Sequence, residues 1–239
     1  MEIGNSGNLA LPIIEQMGRS IVRGESPTTL PTEQELCVRF SVSRTSVREV
    51  MKALSTKGLI DSRPRRGARI RDREKWNPLD LDILNWTEKN EFFFQDLIEL
   101  RRIVEIPAAE MAAVRAKLEN IAAMEQALSD MMNAELQRNP SQFIEADMRL
   151  HREVGRACHN ELILQLFRII SPFINISFNA TIHLLGIVQT FQLHKTLVEE
   201  IRSRNPERAG VAMRAIIDDS WADLQTSPTR AAGASREST

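Results

Sequence analysis

Hydrophobic residues recur every three or four positions along most of the chain, which is the spacing of one face of an α-helix. In the first 73 residues this pattern predicts three helices. The first helix carries an apolar stripe at Leu9, Ile13, Met17 and Ile21. A stripe of this kind must be covered in water, so we expect the three helices to pack around a common core.

The second predicted helix is short and has a clear start signal. Thr32 and Glu35 have the spacing of a capping box, in which each side chain satisfies a free backbone N–H of the other residue. Leu36 and Phe40 would form the buried face of this helix. A short turn then leads to the next helix, so the pair has the layout of a helix-turn-helix.

A third helix is predicted from Ser43 to Gly58, with glycine in the position of a helix C-cap. Its apolar stripe consists of Val47, Val50, Met51 and Leu54. Two short strands are predicted next, around 59–61 and 68–71. The basic segment RPRRG between them has the character of a wing, which completes a winged helix-turn-helix.

From Phe92 onward the periodicity is helical throughout, with a break expected at Pro172. The predicted helices are 93–115, 118–137, 141–159, 161–185, 188–203 and 206–225. The fold class is therefore mainly α: an N-terminal winged helix-turn-helix with a small β-hairpin, and a C-terminal all-α bundle of six to seven helices. The predicted divisions are 1–73 for the head, 74–91 for a linker, 92–226 for the helical domain and 227–239 for a disordered tail.

Charge is distributed unevenly along the 239 residues, although the net charge is only -1. Residues 1–75 carry 14 Lys and Arg against 9 Asp and Glu, whereas the remainder carries 17 against 23. This segregation predicts a polyanionic partner for the N-terminal part. We expect no membrane span and no signal peptide, and two reduced cysteines, Cys37 and Cys158, in a cytoplasmic protein.

The exposed face at the start of the third helix has the chemistry that reads DNA. In a helix-turn-helix the N-terminal residues of the second helix reach base edges in the major groove. An arginine there can form two hydrogen bonds with guanine, and hydroxyls suit phosphate oxygens. The candidates are Ser43, Arg44, Thr45, Ser46 and Arg48, together with Arg66 and Gly67 in the wing. The alternative is an ordinary solvated basic face.

The segment LPTEQELCVRFSVSRTSVREVMKALSTKGLI, followed by RRGARI, resembles the winged helix-turn-helix of the GntR superfamily of bacterial regulators. The resemblance covers residues 9–71 and implies a homodimer that binds a double-stranded DNA operator. It also implies base or phosphate contacts from the seven candidates above. Many members have an arginine after the first Glu of the LPxE motif, where this chain has Gln34, so that contact should be altered.

Two features of the helical part point to a second site. Asp147 and His151 lie four residues apart and so share a helix face, and with His194 they form a plausible set of ligands for a divalent metal. The alternative is an ordinary pair on a helix surface. Arg101 borders an apolar face: it either clamps a carboxylate inside the bundle or forms a surface pair with Glu105.

The segments LRRIVEIPAAEMAA, FIEADMRLHREVGRACHN and HKTLVEEIRSRNPERAGVAM resemble the FCD effector domain of the FadR-like branch. The resemblance implies a zinc, nickel or manganese ion on Asp147, His151 and His194. Ile216 stands where the branch usually has a fourth, histidine ligand. The alternatives are a weaker site with three protein ligands, ligands supplied by the effector, or a site that binds polar groups without a metal. The resemblance to the FCD domain also implies that Arg101 holds the carboxylate of a small effector.

The segment WNPLDLDILNW resembles the group of this family that controls sugar-acid catabolism in response to galactonate. The expected function is therefore a repressor released from its operator by an aldonate bound to Arg101, Asp147, His151, His194 and Asn175. Alternatives are a regulator responsive to an acyl group or a dicarboxylate, or a metal-dependent hydrolase. For the leading function we expect no enzymatic activity.

Overall fold

The computed structural model describes the backbone of residues 7–63, 67–181 and 187–226, and the side chains of 9–61, 68–172 and 189–225. The predicted tail at 227–239 lies outside the described residues. The chain divides into two units between Glu88 and Lys89. The first is called the head below, and the second the helical domain.

Helices and one hairpin form the head. Its elements are α1 Gly7–Val22, α2 Glu33–Phe40, α3 Arg44–Thr56, β1 Ile60–Arg63, β2 Gly67–Ile70, a 3-10 turn at Arg73–Lys75 and α4 Leu81–Trp86. Ile13, Met17 and Ile21 of the predicted stripe are buried, and so are all four apolar residues of the α3 stripe. The prediction for Leu9 was wrong: its side chain is 56% exposed, and Ala10 is buried in its place.

The ends of α2 and α3 follow their local sequence signals. Thr32 caps α2, and both hydrogen bonds of its capping box with Glu35 are present. After α3, Gly58 adopts φ +79°. Its N–H donates to Ser55 O, and the next N–H, of Leu59, donates to Leu54 O. This is the Schellman arrangement, which satisfies carbonyls that the helix leaves free.

The wing is a two-stranded antiparallel hairpin. Ile60 pairs with Ile70 and Arg63 pairs with Gly67 at the two ends of the register. An isolated bridge between Thr29 and Arg69 joins the chain before α2 to this hairpin. The predicted strands were correct in position to within two residues.

Most of the segment 74–91, expected to be a linker, belongs to the head, which extends to Glu88. The N-cap of α4 is Asp80, and the amine of Lys57 lies 2.9 Å from both oxygens of that carboxylate. Trp86 is buried in the core of the head, and its indole N–H donates to Glu15 at 2.6 Å. Tertiary contacts with α1 and α3 therefore extend the head well beyond residue 73.

The described part of the helical domain contains six helices, as expected for the bundle. They are α5 Glu91–Arg115, α6 Leu118–Leu136, α7 Pro140–Ala157, α8 Glu161–Thr181, α9 Ile187–Arg202 and α10 Pro206–Thr226. The predicted break at Pro172 was wrong, because α8 continues through it. A proline removes one helical hydrogen bond, and the helix continues on either side of the gap.

A continuous apolar core fills the helical domain, with residues from α5, α6, α7, α9 and α10. The fold class predicted from the sequence, mainly α with a small hairpin, is confirmed. In the described part of the chain no helix is long and apolar enough to span a bilayer.

Candidate functional sites

The N-terminus of α3 is built around a serine cap. Ser43 is the N-cap, and its hydroxyl accepts from the backbone N–H of Ser46 at 3.2 Å. The two serine hydroxyls are also 3.0 Å apart. Ser46 is only 2% exposed. The expectation that Ser46 belongs to the DNA-reading face therefore needs correction, because its side chain turns inward and its hydroxyl completes the cap.

Three of the other candidates on α3 lie on its solvent side. Arg44, Thr45 and Arg48 are exposed. Arg48 Nε lies 3.3 Å from Glu33 Oε2 at the start of α2. This ion pair is itself largely exposed and is therefore weak. It leaves the guanidinium of Arg48 accessible while limiting the directions in which it can point.

Candidates in the wing and in α8 are only partly described. The backbone of Gly67 begins β2, whereas Arg66 lies outside the described residues. The side chain of Asn175 also lies outside them, although its backbone belongs to α8.

Three buried polar side chains converge inside the helical domain. Asp147 and His151 lie one turn apart on α7, and His194 comes from α9. His194 Nε2 lies 2.7 Å from Asp147 Oδ1, and the two histidine Nε2 atoms are 3.3 Å apart. One ligand atom from each residue falls within 4.8 Å of the other two. The alternative of a surface pair for Asp147 and His151 is wrong, since both are buried.

The two imidazole rings are held from behind. His194 Nδ1 lies 2.7 Å from the carbonyl oxygen of Thr190. A carbonyl can only accept, so this nitrogen carries a proton. His151 Nδ1 lies 2.8 Å from Glu105 Oε2. Only the contact of His194 is a well-directed hydrogen bond, because His151 Nδ1 has none from the described residues. Nε2 lies 2.7 Å from Asp147 Oδ1 in His194 and 3.9 Å from it in His151.

Arg101 and Glu105 form an ion pair inside the domain. Arg101 Nε lies 2.7 Å from Glu105 Oε1, and both side chains are essentially inaccessible. The alternative of a surface pair was wrong here too. The i, i+4 spacing was visible in the sequence, but the burial of the pair depends on how α5 packs in the bundle. Glu105 was thus not recognised as a member of the site.

Electrostatics in this cluster favour ionised carboxylates. Burial opposes the charge of Glu105, but Arg101 and His151 outweigh it and lower its pKa to about 2. Burial likewise opposes ionisation of Asp147, and the neighbouring histidines His194 and His151 still lower its pKa. For His194, burial disfavours the cation, but Asp147 prevails and raises its pKa.

The donor set fits a divalent metal ion. Asp147 Oδ1 is buried and has no well-directed hydrogen bond from any described residue, although His194 Nε2 is close. Two imidazole nitrogens and one carboxylate oxygen are common ligands of zinc, nickel and manganese. Ile216, at the place of the expected fourth ligand, lies on α10 and is buried in the apolar core of the helical domain.

A winged helix-turn-helix with an exposed basic recognition helix, followed by a helical domain with a buried polar cluster, defines a DNA-binding transcription regulator. Residues 12–70 match the family model described as bacterial regulatory proteins, gntR family, and residues 96–219 match the FCD domain. The chain belongs to the GntR family of bacterial regulatory proteins and carries an FCD domain.

Two relatives cover nearly the whole chain. The galactonate operon transcriptional repressor of Escherichia coli (strain K12) is 35% identical over 222 residues, which are 89% of this chain and 95% of the relative. The uncharacterized HTH-type transcriptional regulator YieP of the same organism is 28% identical, over 88% of this chain and 93% of its own length. These relatives are transcriptional regulators.

Solved structures share the fold at low identity. Lar, which controls the expression of the Listeria monocytogenes agr system, has a TM-score of 0.63 at 14% identity, with 94% of this chain and 98% of that chain covered. A GntR protein of Streptococcus agalactiae has a TM-score of 0.52 at 22% identity, with 90% and 98% covered. At such identities the likeness concerns the fold.

Proposed function

We propose that this protein is a repressor that leaves its operator when a sugar acid binds to the helical domain. The observation that carries the proposal is the buried cluster of Arg101, Asp147, His151 and His194 in a domain attached to a DNA-binding head. An aldonate offers one carboxylate and several hydroxyls, which suit an arginine and a metal with hard ligands. The 35% identity to a galactonate operon repressor supports the same class of effector.

In the proposed complex with DNA, the N-terminus of α3 enters the major groove. Arg44 and Arg48 supply guanidinium groups for guanine or phosphate, and Thr45 supplies a hydroxyl. Ser43 and the backbone N–H groups of the first turn face phosphate oxygens. Arg66 and Gly67 belong to the wing contact. A homodimer would place two such heads on the half-sites of an operator, in the bacterial cytoplasm where the chromosome lies.

In the proposed effector site, Asp147, His151 and His194 hold a zinc, nickel or manganese ion. When bound, the metal supplies a Lewis acid that binds oxygen atoms of the effector. A metal held by three protein ligands would still have room to bind oxygen atoms of the effector, and Ile216 stands where the family resemblance expects a fourth ligand. Arg101 binds the carboxylate, and Asn175 is proposed to bind a hydroxyl.

Fluorescence anisotropy with DNA from upstream of the protein's own gene tests the function. Galactonate should weaken DNA binding by about 5- to 150-fold, the range of a coupling free energy of about 1–3 kcal/mol. Arg44→Ala should weaken DNA binding without galactonate. Arg152→Ala, which removes one exposed positive charge from the helical domain, is the matched control.

A thermal-shift panel of aldonates, uronates, dicarboxylates and acyl-CoA separates the alternative effectors, since a ligand that binds the folded state raises its stability. Stabilisation by acyl-CoA or a dicarboxylate alone would replace the aldonate. The proposal fails if no carboxylate changes operator affinity. The role is regulatory rather than hydrolytic, so turnover of an ester or amide lost in Asp147→Ala would contradict it.

A further inference from the structure

Arg48 differs from Arg44 in having an acidic partner. Both arginines are exposed on α3, and of the two only Arg48 forms an ion pair with another described residue. Its Nε donates to Oε2 of Glu33 at 3.3 Å. A negative charge therefore lies directly beside a side chain that is proposed to bind the polyanion DNA, and it lowers the affinity for DNA in general. This cost indicates that the contact contributes something other than affinity.

Glu33 lies where it can act on bound DNA. It is the first residue of α2, directly after the N-cap Thr32. Its side chain is 45% exposed, and that of Arg48 is 70% exposed. Because the carboxylate lies 3.3 Å from Arg48 Nε, a DNA group that reaches this guanidinium also comes close to Glu33. The effect of Glu33 on binding therefore depends on which DNA group Arg48 meets.

The ion pair leaves the end of the Arg48 guanidinium free. A guanidinium has five N–H donors in a planar fork. Glu33 is hydrogen-bonded to Nε alone, so Nη1 and Nη2 keep their donors for another partner. These two nitrogens can donate in parallel to O6 and N7 of a guanine in the major groove. Glu33 thus restricts the direction of Arg48 without occupying the atoms that read a base.

A phosphate is a poorer partner than a guanine for an arginine held in this way. A phosphate oxygen carries negative charge and is repelled by the adjacent carboxylate, whereas O6 and N7 of guanine belong to a neutral base. Every DNA sequence presents the same phosphates, so this repulsion weakens binding to all sequences. Only an operator with a guanine in register regains the loss through the base contact. The carboxylate therefore lowers affinity and raises specificity.

We propose that Glu33 is a specificity-determining residue that acts through Arg48: it holds the guanidinium by Nε, opposes its contact with phosphates and so directs it to a guanine of the operator. This inference rests on the proposed DNA contact of α3. It goes further by naming the chemical group that Arg48 recognises, and by giving an acidic residue a role in binding DNA.

Glu33→Gln tests this role, because it removes the charge at nearly constant shape. The amide also forms a weaker hydrogen bond with Arg48 than the carboxylate does. The matched control is Glu49→Gln. Glu49 is exposed and follows Arg48 directly on α3, and it forms no ion pair with Arg48 in the described part of the chain. Both substitutions change the net charge equally, so a difference between them depends on the contact with Arg48.

Operator preference is the first readout, measured with the full-length protein by fluorescence anisotropy. One duplex comes from upstream of the protein's own gene, and the other has the same bases in scrambled order. We expect Glu33→Gln to bind the scrambled duplex more tightly. The ratio of the two affinities should fall about 5-fold or more, the lower end of what one bidentate arginine contributes to base discrimination. Glu49→Gln should change both affinities by similar factors and keep the ratio.

Salt dependence is the second readout. The logarithm of the binding constant falls linearly with the logarithm of the salt concentration, by a slope of about 0.9 for each phosphate contact. Arg48 released from Glu33 should gain a phosphate, so the slope for scrambled DNA should become steeper by about 0.9 in Glu33→Gln. In an Arg48→Ala background, Glu33→Gln should change neither this slope nor the operator preference, because the side chain on which it acts is absent.

An unchanged operator preference in Glu33→Gln would overturn the inference. An equal fall in Glu49→Gln, or in the Arg48→Ala background, would overturn it as well. Urea unfolding shows whether the variants are folded. If Glu33→Gln is not, Glu33→Ala also removes the carboxylate and takes its place in every comparison.

The proposed function is judged separately, by the titration with galactonate. If galactonate releases wild-type protein from DNA but Glu33→Gln keeps its operator preference, only the role of Glu33 is lost. If Glu33→Gln loses the preference while no sugar acid affects DNA binding, the role of Glu33 stands and only the effector assignment is lost.

Discussion

The indole ring of Trp86 lies directly on the backbone of α1 at Gly18. A Cβ atom at position 18 would come within 2.2 Å of Trp86 Cζ3, which no packed structure tolerates. The same indole donates its N–H to Glu15, one turn earlier. Glycine is therefore needed at this position for close approach, although it is a poor helix former.

Gly18→Ala should destabilise the head by about 1–3 kcal/mol, as overpacking does in a filled core. Helix propensity alone predicts the opposite sign, a gain of about 1 kcal/mol. Urea unfolding followed by circular dichroism measures the difference. In a Trp86→Leu background the cost of Gly18→Ala should largely vanish. A stabilised Gly18→Ala protein would show that the ring does not lie there.

Cys158 illustrates a thiol that burial makes inert. Its single S–H proton has two acceptors within reach, Ala108 O at 3.1 Å and Val154 O at 3.3 Å. Burial, the largest influence, raises the pKa of this thiol from 9.0 to about 11. The thiolate is the reactive form of cysteine. The folded state therefore suppresses the chemistry of Cys158.

Iodoacetamide at pH 8 should place one adduct on the native protein, at the half-buried Cys37, and two on the denatured protein. Mass spectrometry counts the adducts. Because the pKa of Cys158 is raised in the folded state, its contribution to stability is full below about pH 9 and is lost as the pH rises through 11. Two native adducts formed at equal rates would contradict the buried placement.

At the scale of elements, the first turn of α3 combines a helix cap with exposed residues that are proposed to contact DNA. Its N-cap serine stabilises the helix through hydrogen bonds with Ser46, and its next residues face solvent. The helix cap and the proposed DNA contacts thus fall mostly on different side chains within one turn. Ser43 is the exception, since it is both the cap and a candidate phosphate contact.

Ser43→Ala and Thr45→Ala separate these two purposes. Loss of the cap in Ser43→Ala should cost about 0.5–2 kcal/mol of stability. Thr45→Ala should leave the unfolding free energy within about 0.5 kcal/mol, as surface changes do, and weaken operator binding. Denaturant unfolding and DNA anisotropy are measured on both variants. Equal losses of stability would show that Thr45 is packed rather than exposed.

At the scale of the whole molecule, the described residues form two apolar cores, one in each unit. One joins α1, α2, α3 and α4 with the hairpin, and the other joins α5, α6, α7, α9 and α10. The buried polar cluster belongs to the second core. A ligand of that cluster therefore stabilises the folded protein through the helical domain.

Zinc should stabilise the metal-free protein by about 2.7 kcal/mol when the zinc concentration is 100 times the Kd. The temperature of the unfolding midpoint should rise accordingly. Asp147→Asn, which removes the ligand charge at nearly constant shape, should lose most of this gain. Glu145→Ala, at an exposed position on the same helix, should keep it. Differential scanning calorimetry measures all three proteins. An equal gain in Asp147→Asn would place zinc elsewhere.

Local signals accounted for most of the fold. The capping box at Thr32, the C-cap at Gly58 and the stripe of α3 depend on residues within one or two turns, so the sequence predicts them well. The prediction that Leu9 is buried was wrong, because the spacing of apolar residues along α1 does not show where the surface that covers them ends. The break predicted at Pro172 was wrong, because a proline removes only one hydrogen bond of the helix and α8 continues through it.

The sequence by itself determined the helical periodicity, the caps, the basic recognition helix and, through its motifs, the family. These depend on neighbours along the chain. Only the tertiary structure decided that Arg101 and Glu105 are buried together, that Ser46 turns inward, and that α4 completes the head. Such outcomes depend on which faces of distant helices meet, because contact between residues far apart in sequence is set by packing rather than by local preference.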